Sequence, residues 1–410
     1  MISVQEAHRM IKKSIPDPEV ETVPSTRVIG RVLAEEVRAT FPQPRFDNST
    51  MDGFAVRHED TDKASKKKPA TLKSKGVISV DSFPGICVEP GECVQVMTGI
   101  PIPPGADAVV MVEDTSGFKS DGTVQIFKPV GTGENVRFQG EEIQSGEPVF
   151  LAGNRIGPSE IGILTTFGYL NIKVYRQPRM TIFATGDELK DIGEPLRDGE
   201  IFNSNLPVLK DLADRVGAIV ILKERIRDKP SSLKRFLKTA IESSDIVVST
   251  GGISMGRYDY VREILLDLGV IERFWRVAQK PGKPLFFGSL GKKLFFGLPG
   301  NPVSAFICFM EYIWPTCERW MGLHPKSKFK VLLEEPFPRD PRKHRFLFGH
   351  VWIKNGDLRC VPTSRQGSHM LSSAVGANSI LETDPGVEPL HEGETVVASI
   401  LPWESIRSEP

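Results

Sequence analysis

Cysteine is scarce in this chain of 410 residues, which has five cysteines and no C-x-x-C pair. The low, odd count argues against a disulfide framework or a zinc ribbon and favours a reducing compartment. An H-E-x-x-H segment, a common zinc-enzyme motif, is also missing. Lysine plus arginine balance aspartate plus glutamate at 52 each, so the formal net charge is zero. Because dedicated nucleic-acid-binding proteins normally carry a basic excess, this balance argues against a nucleic-acid partner.

Long apolar runs are absent as well. No run approaches the roughly 20 residues that a membrane-spanning helix needs, so we expect no membrane partner. Within residues 1–15, Val4, Ala7, Ile11 and Ile15 follow helical spacing among polar residues. This pattern predicts an amphipathic helix, because a secretory signal needs an apolar core of roughly 7–15 residues. We therefore expect a cytoplasmic protein.

Two common nucleotide-binding motifs are missing. The sequence has no G-x-x-x-x-G-K-[ST], which excludes a P-loop nucleotide triphosphatase. It also has no G-x-G-x-x-G after a predicted strand, which disfavours a Rossmann dinucleotide site.

The composition is otherwise that of a soluble globular protein, with 40% hydrophobic and 25% charged residues. The length predicts two to four domains at roughly 100–200 residues each. The 37 glycines and 32 prolines lie in no low-complexity tract, so they indicate many short elements joined by turns.

The pattern along the chain predicts an α/β multidomain protein with four regions. Short β-branched runs cut by glycine and proline indicate a β-rich region before residue 150. Strands that alternate with helices then predict a central, open, parallel α/β domain. The boundaries we predict are 1–45 with 146–177 (helical and linker subdomain), 46–145 (β-rich subdomain), 178–325 (α/β domain) and 326–410 (C-terminal β-barrel domain).

Some details of these regions can be predicted as well. A second helical stretch is expected over residues 31–37, before two prolines that stop helix propagation. A long apolar helix is expected from Pro302 to Trp320. In the last region, Asn355-Gly356 between two predicted strands indicates a type I′ hairpin, and a small β-barrel or sandwich fits the strand pattern.

Glycine-rich loops follow three predicted strands of the α/β domain. Ligands of open α/β sheets bind beyond the carboxyl ends of the strands. Glycine allows the backbone to approach a ligand closely, and the following helix N-terminus offers free N–H donors to an anion. Three such loops in one sheet favour a phosphorylated, nucleotide-like ligand over three unrelated tight turns. The loops are Thr185–Glu188, Thr250–Gly256 and Gly297–Pro302.

Carboxylates accompany these glycines, at Asp187, Glu188, Asp228 and Asp259. Acids beside an anion site are expected when a divalent cation lies between them and the phosphates, and Mg²⁺ is the natural choice. The alternative is that the acids cap helices, above all Asp187.

A second cationic feature is the segment Lys280-Pro281-Gly282-Lys283-Pro284. Two lysines held by prolines and a glycine at the start of a strand can form a compact site for an oxyanion. The alternative is a pair of ordinary surface lysines.

Together with an exposed-looking polar loop at Phe46–Ala55, these segments resemble the molybdopterin molybdenumtransferase family, MoeA in bacteria and the E domains of relatives such as gephyrin. The motifs occur in family order from residue 46 to about residue 380. The matching segments are Phe46–Ala55 (FDNSTMDGFA), Met97–Gly99 (MTG), Pro104–Val110 (PGADAVV), Thr185–Leu189 (TGDEL), Ser249–Asp259 (STGGISMGRYD), Lys280–Pro284 (KPGKP) and Leu298–Ala305 (LPGNPVSA).

The resemblance implies a transferase that catalyses the last step of molybdenum cofactor biosynthesis. Adenylylated molybdopterin and molybdate would be the substrates, AMP would be released, and Mg²⁺ would be required. The family resemblance also implies an elongated homodimer in which the β-rich subdomain of one chain completes the pterin cleft of the other. Molybdopterin adenylyltransferase and apo-molybdoenzymes are the further partners that it implies.

The resemblance also transfers roles to individual residues. It does not distinguish Ser372 from Ser373, and the family commonly has aspartate where this chain has Glu142, which leaves the role of Glu142 open. The catalytic residues implied are Asp52, Thr98, Glu188, Asp228 and Asp259, of which Glu188, Asp228 and Asp259 would bind the metal. The substrate-binding residues implied are Gly186, Asp187, Thr250, Gly251, Gly252, Ser254, Gly256, Pro299, Gly300, Asn301, Lys280, Lys283, Arg345, Ser372 and Ser373.

Two alternatives remain at this point. A molybdopterin adenylyltransferase would share the α/β region but not residues 1–170 or 326–410. A gephyrin-like scaffold would rely on an additional fused domain and a long linker, which this sequence does not contain. The preference for molybdate or tungstate stays open.

Overall fold

The computed structural model describes residues 1–78, 85–118, 122–252, 260–325 and 327–408. The chain forms two compact units. The larger unit contains Met1–Ala34, Gly153–Pro158 and Asn171–Pro410, and the smaller unit contains Glu35–Ala152 and Ser159–Leu170. Within the described ranges, no helix has both the length and the apolar character needed to cross a membrane.

The helices are mostly short. They are α1 (Val4–Ser14), α2 (Pro158–Thr166), α3 (Asn205–Val216), α4 (Pro230–Ser243), α5 (Tyr260–Asp267), α6 (Pro302–Cys308) and α7 (Trp314–Trp320). Between α6 and α7 the backbone continues through a π-helical turn, Phe309–Ile313. The predicted long helix therefore exists, but a π turn interrupts it, a feature that is rare and often found at functional sites.

The strands are numbered in chain order. Up to the end of the β-rich region they are β1 (Val20–Pro24), β2 (Val37–Arg38), β3 (Asn48–Ser49), β4 (Gly53–Val56), β5 (Ala70–Val77), β6 (Glu92–Val96), β7 (Ala108–Met111), β8 (Thr123–Ile126), β9 (Val136–Arg137) and β10 (Pro148–Phe150). They continue as β11 (Asn171–Tyr175), β12 (Arg179–Thr185), β13 (Leu189–Lys190), β14 (Ile201–Phe202), β15 (Ile219–Ile226), β16 (Ile246–Thr250), β17 (Ile271–Trp275), β18 (Gln279–Lys280), β19 (Phe286–Leu290) and β20 (Lys293–Leu298). The C-terminal strands are β21 (Phe329–Leu333), β22 (His344–Lys354), β23 (Asp357–Pro362), β24 (Ser379–Thr383), β25 (Thr395–Ile400) and β26 (Arg407–Ser408).

The centre of the larger unit is a six-stranded sheet in the order β15-β12-β16-β20-β19-β17. The first four strands are parallel, as the sequence predicts. The last two are antiparallel to their neighbours. Only Gly291 and Lys292 separate β19 from β20, and a connection of two residues permits a hairpin but not a parallel crossover.

The parallel register aligns the carboxyl ends of four strands. Thr185 at the end of β12 lies opposite Ile226, the last residue of β15. Thr250 at the end of β16 lies opposite Ala184 on one side and opposite Leu298 on the other. The loops that follow these strands therefore emerge at one edge of the sheet.

Helices cover both faces of this sheet. Alternate side chains point to opposite faces, so that Ile182 packs with α3 and α6 while its neighbour Phe183 packs with α4 and α5. Both side chains have no exposed surface. Burying one such side chain contributes roughly 1.5–3 kcal/mol, so the two apolar clusters hold the strand ends in place.

The amphipathic N-terminal helix predicted from residues 1–15 is confirmed as α1. Val4, Ala7 and Ile11 are buried in the same apolar cluster as α3 and α6. Ser3 caps the helix by accepting a hydrogen bond from the Glu6 backbone N–H at 3.1 Å.

The C-terminal strands form the small β-barrel that was predicted. The order β22-β23-β21-β25-β24 closes because β24 also pairs with β22. Asn355 and Gly356 connect β22 to β23 with φ values of 53° and 86°, as a type I′ turn requires.

The smaller unit is β-rich, as expected from its sequence. Its main sheet has the order β7-β4-β6-β5-β8, and Phe54, Val110 and Val124 belong to the apolar cluster on one of its faces.

The helix predicted over residues 31–37 is wrong. Val32 and Leu33 instead form isolated β-bridges with Arg155 and Val174, and Val37 begins strand β2. Val32 and Leu33 are both buried. Pairing with two distant segments buries these adjacent apolar side chains, and this tertiary contact outweighs the local helix propensity.

Gly53 and Gly162 provide a test of the packing in the smaller unit. A Cβ atom on Gly53 would lie 1.9 Å from the Val110 carbonyl oxygen, whereas a Cβ on Gly162 in α2 would meet nothing within 4 Å. We expect Gly53→Ala to lower the free energy of unfolding of this unit by about 1–3 kcal/mol, since β4 and β7 must separate. Gly162→Ala should stabilise α2 by up to about 1 kcal/mol. Hydrogen-exchange mass spectrometry of β4 and α2 peptides would measure both effects, and equal protection of β4 in Gly53→Ala and the wild type would contradict this packing.

Candidate functional site

Three carboxylates gather where β12 and β15 end. The Asp228 backbone N–H, just after β15, donates a hydrogen bond to Asp187 Oδ1 at 3.4 Å. A Cβ on Gly186 would lie 2.7 Å from both carboxylate oxygens of Glu188, so this carboxylate lies against the loop backbone. Two adjacent strand ends thus bring together Asp187, Glu188 and Asp228, which the sequence predicted as neighbours.

The electrostatics of this cluster favour a cation. Burial raises the pKa of the Asp228 carboxyl group, and the negative charges of Asp187 and Glu188 raise it further. A bound divalent cation would relieve the same repulsion, and Mg²⁺ prefers carboxylate oxygens as ligands, but its binding here stays a prediction. Among the described residues, no group of three His, Cys, Asp or Glu side chains is arranged to hold a metal ion.

Three of the predicted site residues lie outside the described ranges. Ser254, Gly256 and Asp259 belong to residues 253–259, between the described segments 122–252 and 260–325. Asp259 is the third predicted metal ligand, so that role stays a prediction.

Four cationic side chains line a cleft together with Asp187. A cleft of about 270 Å³ at this sheet edge is lined by Gly186, Asp187, Leu189, Lys190, Arg225, Arg227 and Lys229. Lys190 pairs with Glu200 at 3.2 Å and Arg225 with Glu194 at 3.0 Å. Arg227 and Lys229 are exposed. None of these four basic residues was predicted from the sequence as a site residue, although two of them flank Asp228 directly.

The loops after β16 and β20 are tied together by hydrogen bonds. The Thr250 hydroxyl donates to the Pro299 carbonyl at 3.1 Å. Asn205, the first residue of α3, donates through Nδ2 to Thr250 Oγ1 and to the Gly300 carbonyl, both at 2.8 Å. Asn301 Nδ2 donates to Ser368 Oγ at 3.1 Å. The predicted residues Thr250, Pro299, Gly300 and Asn301 therefore lie in one fixed arrangement, and Asn205 is a member that was not predicted from the sequence.

Gly251 and Gly252 are glycines for steric reasons. Their φ values are 85° and 68°, a region that other residues rarely adopt. A Cβ on Gly251 would lie 2.6 Å from the Thr185 carbonyl oxygen, and one on Gly252 would lie 2.7 Å from the Thr185 hydroxyl oxygen. The loop after β16 is thereby held close against the end of β12.

A second cluster of positive charge forms where the lysine segment, residues 280–284, pairs with strand β22 of the barrel. Lys280 in β18 lies opposite Arg345 in β22, in a parallel pairing that places both side chains on one face. Arg345 is only 8% exposed, and burial lowers the pKa of its guanidinium group, with Asp340 offsetting this in part. Its Nε atom has no hydrogen-bond partner among the described residues. A buried, incompletely paired cation of this kind fits an anionic ligand.

The two serines occupy a single 3-10 turn, Leu371–Ala374, which packs against α6 and β22. The Ser372 hydroxyl accepts a hydrogen bond from Arg365 Nη1 at 3.0 Å, whereas Ser373 is buried. Both residues therefore lie beside the strand that carries Arg345.

In the smaller unit, Asp52 and Thr98 contact each other. Asp52 Oδ1 accepts hydrogen bonds from the Thr98 backbone N–H at 2.8 Å and from the Thr98 hydroxyl at 2.9 Å. These two bonds lower the pKa of the Asp52 carboxyl group, which therefore stays ionised. The Asp52 side chain is also exposed to solvent. Glu142 lies in the same unit, where its backbone N–H donates to the Gln43 carbonyl at 3.0 Å.

Family models match the chain in three consecutive segments. Residues 2–168 match the MoeA N-terminal region (domain I and II). Residues 181–319 match a probable molybdopterin binding domain. Residues 330–401 match the MoeA C-terminal region (domain IV).

Individual relatives match over almost the whole chain. A molybdopterin molybdenumtransferase of Staphylococcus aureus (strain COL) is 34% identical over 399 residues, which cover 96% of this chain and 94% of the relative. The enzyme of the same name from Nostoc sp. is 33% identical over 87% of this chain and 84% of its own length. The crystal structure of a molybdopterin biosynthesis MoeA protein from Pyrococcus horikoshii superposes with a TM-score of 0.81 at 29% identity, covering 98% of this chain and 99% of that one.

The contact between Asp52 and Thr98 predicts a measurable titration shift. Thr98→Val removes the hydroxyl donor and keeps the backbone donor, so the pKa of Asp52 should rise part of the way toward its ordinary value. Carbon-13 NMR of the side-chain carboxyl groups would measure it. Thr71→Val, an exposed substitution in β5, should leave the titration of Asp52 unchanged. An unshifted Asp52 in Thr98→Val would contradict the assigned contact.

Proposed function

Because this chain belongs to the molybdopterin molybdenumtransferase (MoeA) family of transferases, which acts in molybdenum cofactor biosynthesis, we propose that it inserts molybdate into adenylylated molybdopterin and releases AMP. The observation that carries the proposal is a pair of cationic features in the larger unit. One is the cleft with four basic residues at the sheet edge, and the other is the buried Arg345 opposite Lys280.

The cleft at the sheet edge would hold the phosphates of the adenylylated pterin. Arg227 and Lys229 line it, are exposed and would neutralise the phosphoryl oxygens. The hydrogen-bonded loops around Thr250 and Gly300 offer closely packed backbone against which a planar pterin can lie. Positioning and charge stabilisation would then supply most of the catalysis, as in other phosphoryl chemistry.

The lysine segment and Arg345 would hold molybdate. Molybdate is a dianion that must approach an anionic pterin phosphate, so its binding needs local positive charge. Lys280, Lys283 and Arg345 together supply three cationic side chains, and Ser372 or Ser373 would add a hydroxyl donor. Molybdate binding to the Ser372→Ala and Ser373→Ala variants would show which serine contributes. Tungstate binding to the wild type would show whether that oxyanion is also accepted.

Glu188, Asp228 and Asp259 are the residues that would hold Mg²⁺. When bound there, the metal would polarise the phosphoanhydride and offset charge on the leaving AMP. The protein's own acids would otherwise repel the phosphates, and Arg227 and Lys229 would reduce that repulsion.

The assembly we propose is a homodimer in which Asp52 and Thr98 of one chain serve the site of its partner. Molybdopterin adenylyltransferase would supply the substrate, and apo-molybdoenzymes would receive the cofactor. The support is the family resemblance together with the exposed Asp52 carboxylate, which Thr98 holds in its ionised form by two hydrogen bonds.

Substitution of Lys283 tests the molybdate site. We expect Lys283→Ala to raise the KM for molybdate by roughly tenfold to a hundredfold, since a charge-assisted hydrogen bond contributes about 1.5–3 kcal/mol. The assay follows AMP release and cofactor formation from adenylylated molybdopterin. Lys292→Ala, which removes a surface lysine paired with Glu19, is the matched control and should behave as the wild type.

The same assay separates this function from an adenylyltransferase. Molybdopterin and ATP supplied in place of the adenylylated pterin should give no adenylylated product. Formation of that product, or an unchanged molybdate KM in Lys283→Ala, would contradict the proposal.

A mixing experiment tests the shared site. If Asp52 and Asp228 of one site come from different chains, then Asp52→Ala and Asp228→Ala homodimers are each inactive, whereas exchanged heterodimers contain one intact site of two. Random exchange should therefore restore about one quarter of the wild-type activity. No recovery after exchange, confirmed by native mass spectrometry of the heterodimer, would contradict the shared arrangement.

A further inference from the structure

One buried amide side chain contacts the inner side of the lysine segment, residues 280–284. Gln279, which precedes Lys280, has no exposed surface. Its Nε2 atom donates hydrogen bonds to the Pro281 carbonyl at 3.1 Å and to Cys308 Sγ at 3.4 Å. Lys280 and Lys283 are exposed on the other side. The buried amide thus contacts the backbone of the same short segment whose lysines reach solvent.

The Gln279 amide is in turn fixed by a tyrosine of the π-helical turn. Tyr312 is fully buried, and its hydroxyl donates a short hydrogen bond to Gln279 Oε1. The turn Phe309–Ile313 interrupts an otherwise α-helical run. Irregular helical turns of this type are rare and are found frequently at functional sites. In this chain the turn directs the Tyr312 side chain to the Gln279 amide.

The lysine segment is packed closely against helix α6. A Cβ on Gly282 would lie 2.5 Å from Cys308 Sγ and 2.6 Å from Gln279 Nε2, so the backbone is pressed against both groups. At its other end, the Lys283 carbonyl accepts hydrogen bonds from the Val277 and Leu285 backbone N–H groups, each at 3.0 Å. Any change in the Gln279 side chain must therefore be transmitted to the backbone that carries the lysines.

We propose that Gln279 and Tyr312 are positioning residues for oxyanion binding, which act by holding Lys280 and Lys283 in the geometry that molybdate requires. The inference rests on the proposed function, because it presumes that these lysines bind the oxyanion. Tyr312 has no surface from which to touch the anion, so its effect passes through Gln279. Hydrogen bonds that orient metal ligands typically change metal affinity by about 10–100-fold, and we expect an effect of the same kind here, because an ordered lysine pair leaves less ordering for the anion to impose.

The hydroxyl of Tyr312 can be removed with little change in shape. Tyr312→Phe should weaken the binding of molybdate by about tenfold, and it should raise the KM for molybdate while kcat stays near that of the wild type. Equilibrium dialysis of the full chain with molybdate alone measures the affinity. Thr316→Val is the matched control, because it removes a buried hydrogen bond from the Thr316 hydroxyl to the Tyr312 carbonyl, 2.6 Å long, in the same helical run.

A double-mutant cycle shows whether the tyrosine acts through the amide. Gln279→Met keeps the approximate shape of the side chain and removes its polar atoms, and it should weaken molybdate binding at least as much as Tyr312→Phe. Tyr312→Phe added to Gln279→Met should then cause no further loss. Thermal unfolding of each variant reports how far general destabilisation contributes.

The outcomes separate this inference from the proposed function. Wild-type molybdate affinity in Tyr312→Phe, an equal loss in Thr316→Val, or additive losses in the double variant would overturn the positioning role. Wild-type affinity in Lys283→Ala would instead overturn the molybdate site itself, and with it the premise of the inference.

Discussion

The parallel pairing of β15, β12, β16 and β20 determines where the four loops at the edge of the central sheet emerge. It places Ile226, Thr185, Thr250 and Leu298 at one edge, so that four loops from distant parts of the chain meet there. Apolar clusters on both faces fix the register, because a slip of one residue would exchange the two buried faces. This edge brings the acids and cations together, and ion pairs such as Lys190 with Glu200 and Arg225 with Glu194 then fix individual side chains.

Charge is balanced over the whole chain and strongly patterned within it. At the sheet edge, burial and the negative charges of Asp187 and Glu188 raise the pKa of Asp228, while four basic residues line a cleft beside Asp187. Arg345 is a buried cation that Asp340 compensates only in part. Such an arrangement is unfavourable by itself and would become favourable if the metal ion and anionic substrates that we propose were bound. The net charge of the whole chain, which is zero, does not reveal this local pattern.

The features that depend on local pattern could be predicted from the sequence. The alternation of strands and helices, the Asn355-Gly356 hairpin and the acids after strand ends all follow from residue spacing and turn chemistry. Asn205 could not be found this way, because its partners Thr250 and Gly300 lie 45 and 95 residues further on. The bridges of Val32 and Leu33 and the contact from Tyr312 to Gln279 are likewise tertiary. Helical periodicity does not show the π turn in this segment, because nearly every residue of α6 and of the turn is buried and no one-sided apolar stripe exists whose phase could shift.

The proposed chemistry requires two separate anion sites, in which molybdate would lie between the lysine segment and Arg345 and the phosphates would lie in the cleft at the sheet edge. A crystal structure of the chain soaked with molybdate, with anomalous differences recorded at the molybdenum absorption edge, would locate the oxyanion. We expect an anomalous peak within hydrogen-bond distance of the Lys280, Lys283 and Arg345 side chains. A peak at Arg227 and Lys229 with none beside Arg345 would contradict the assignment.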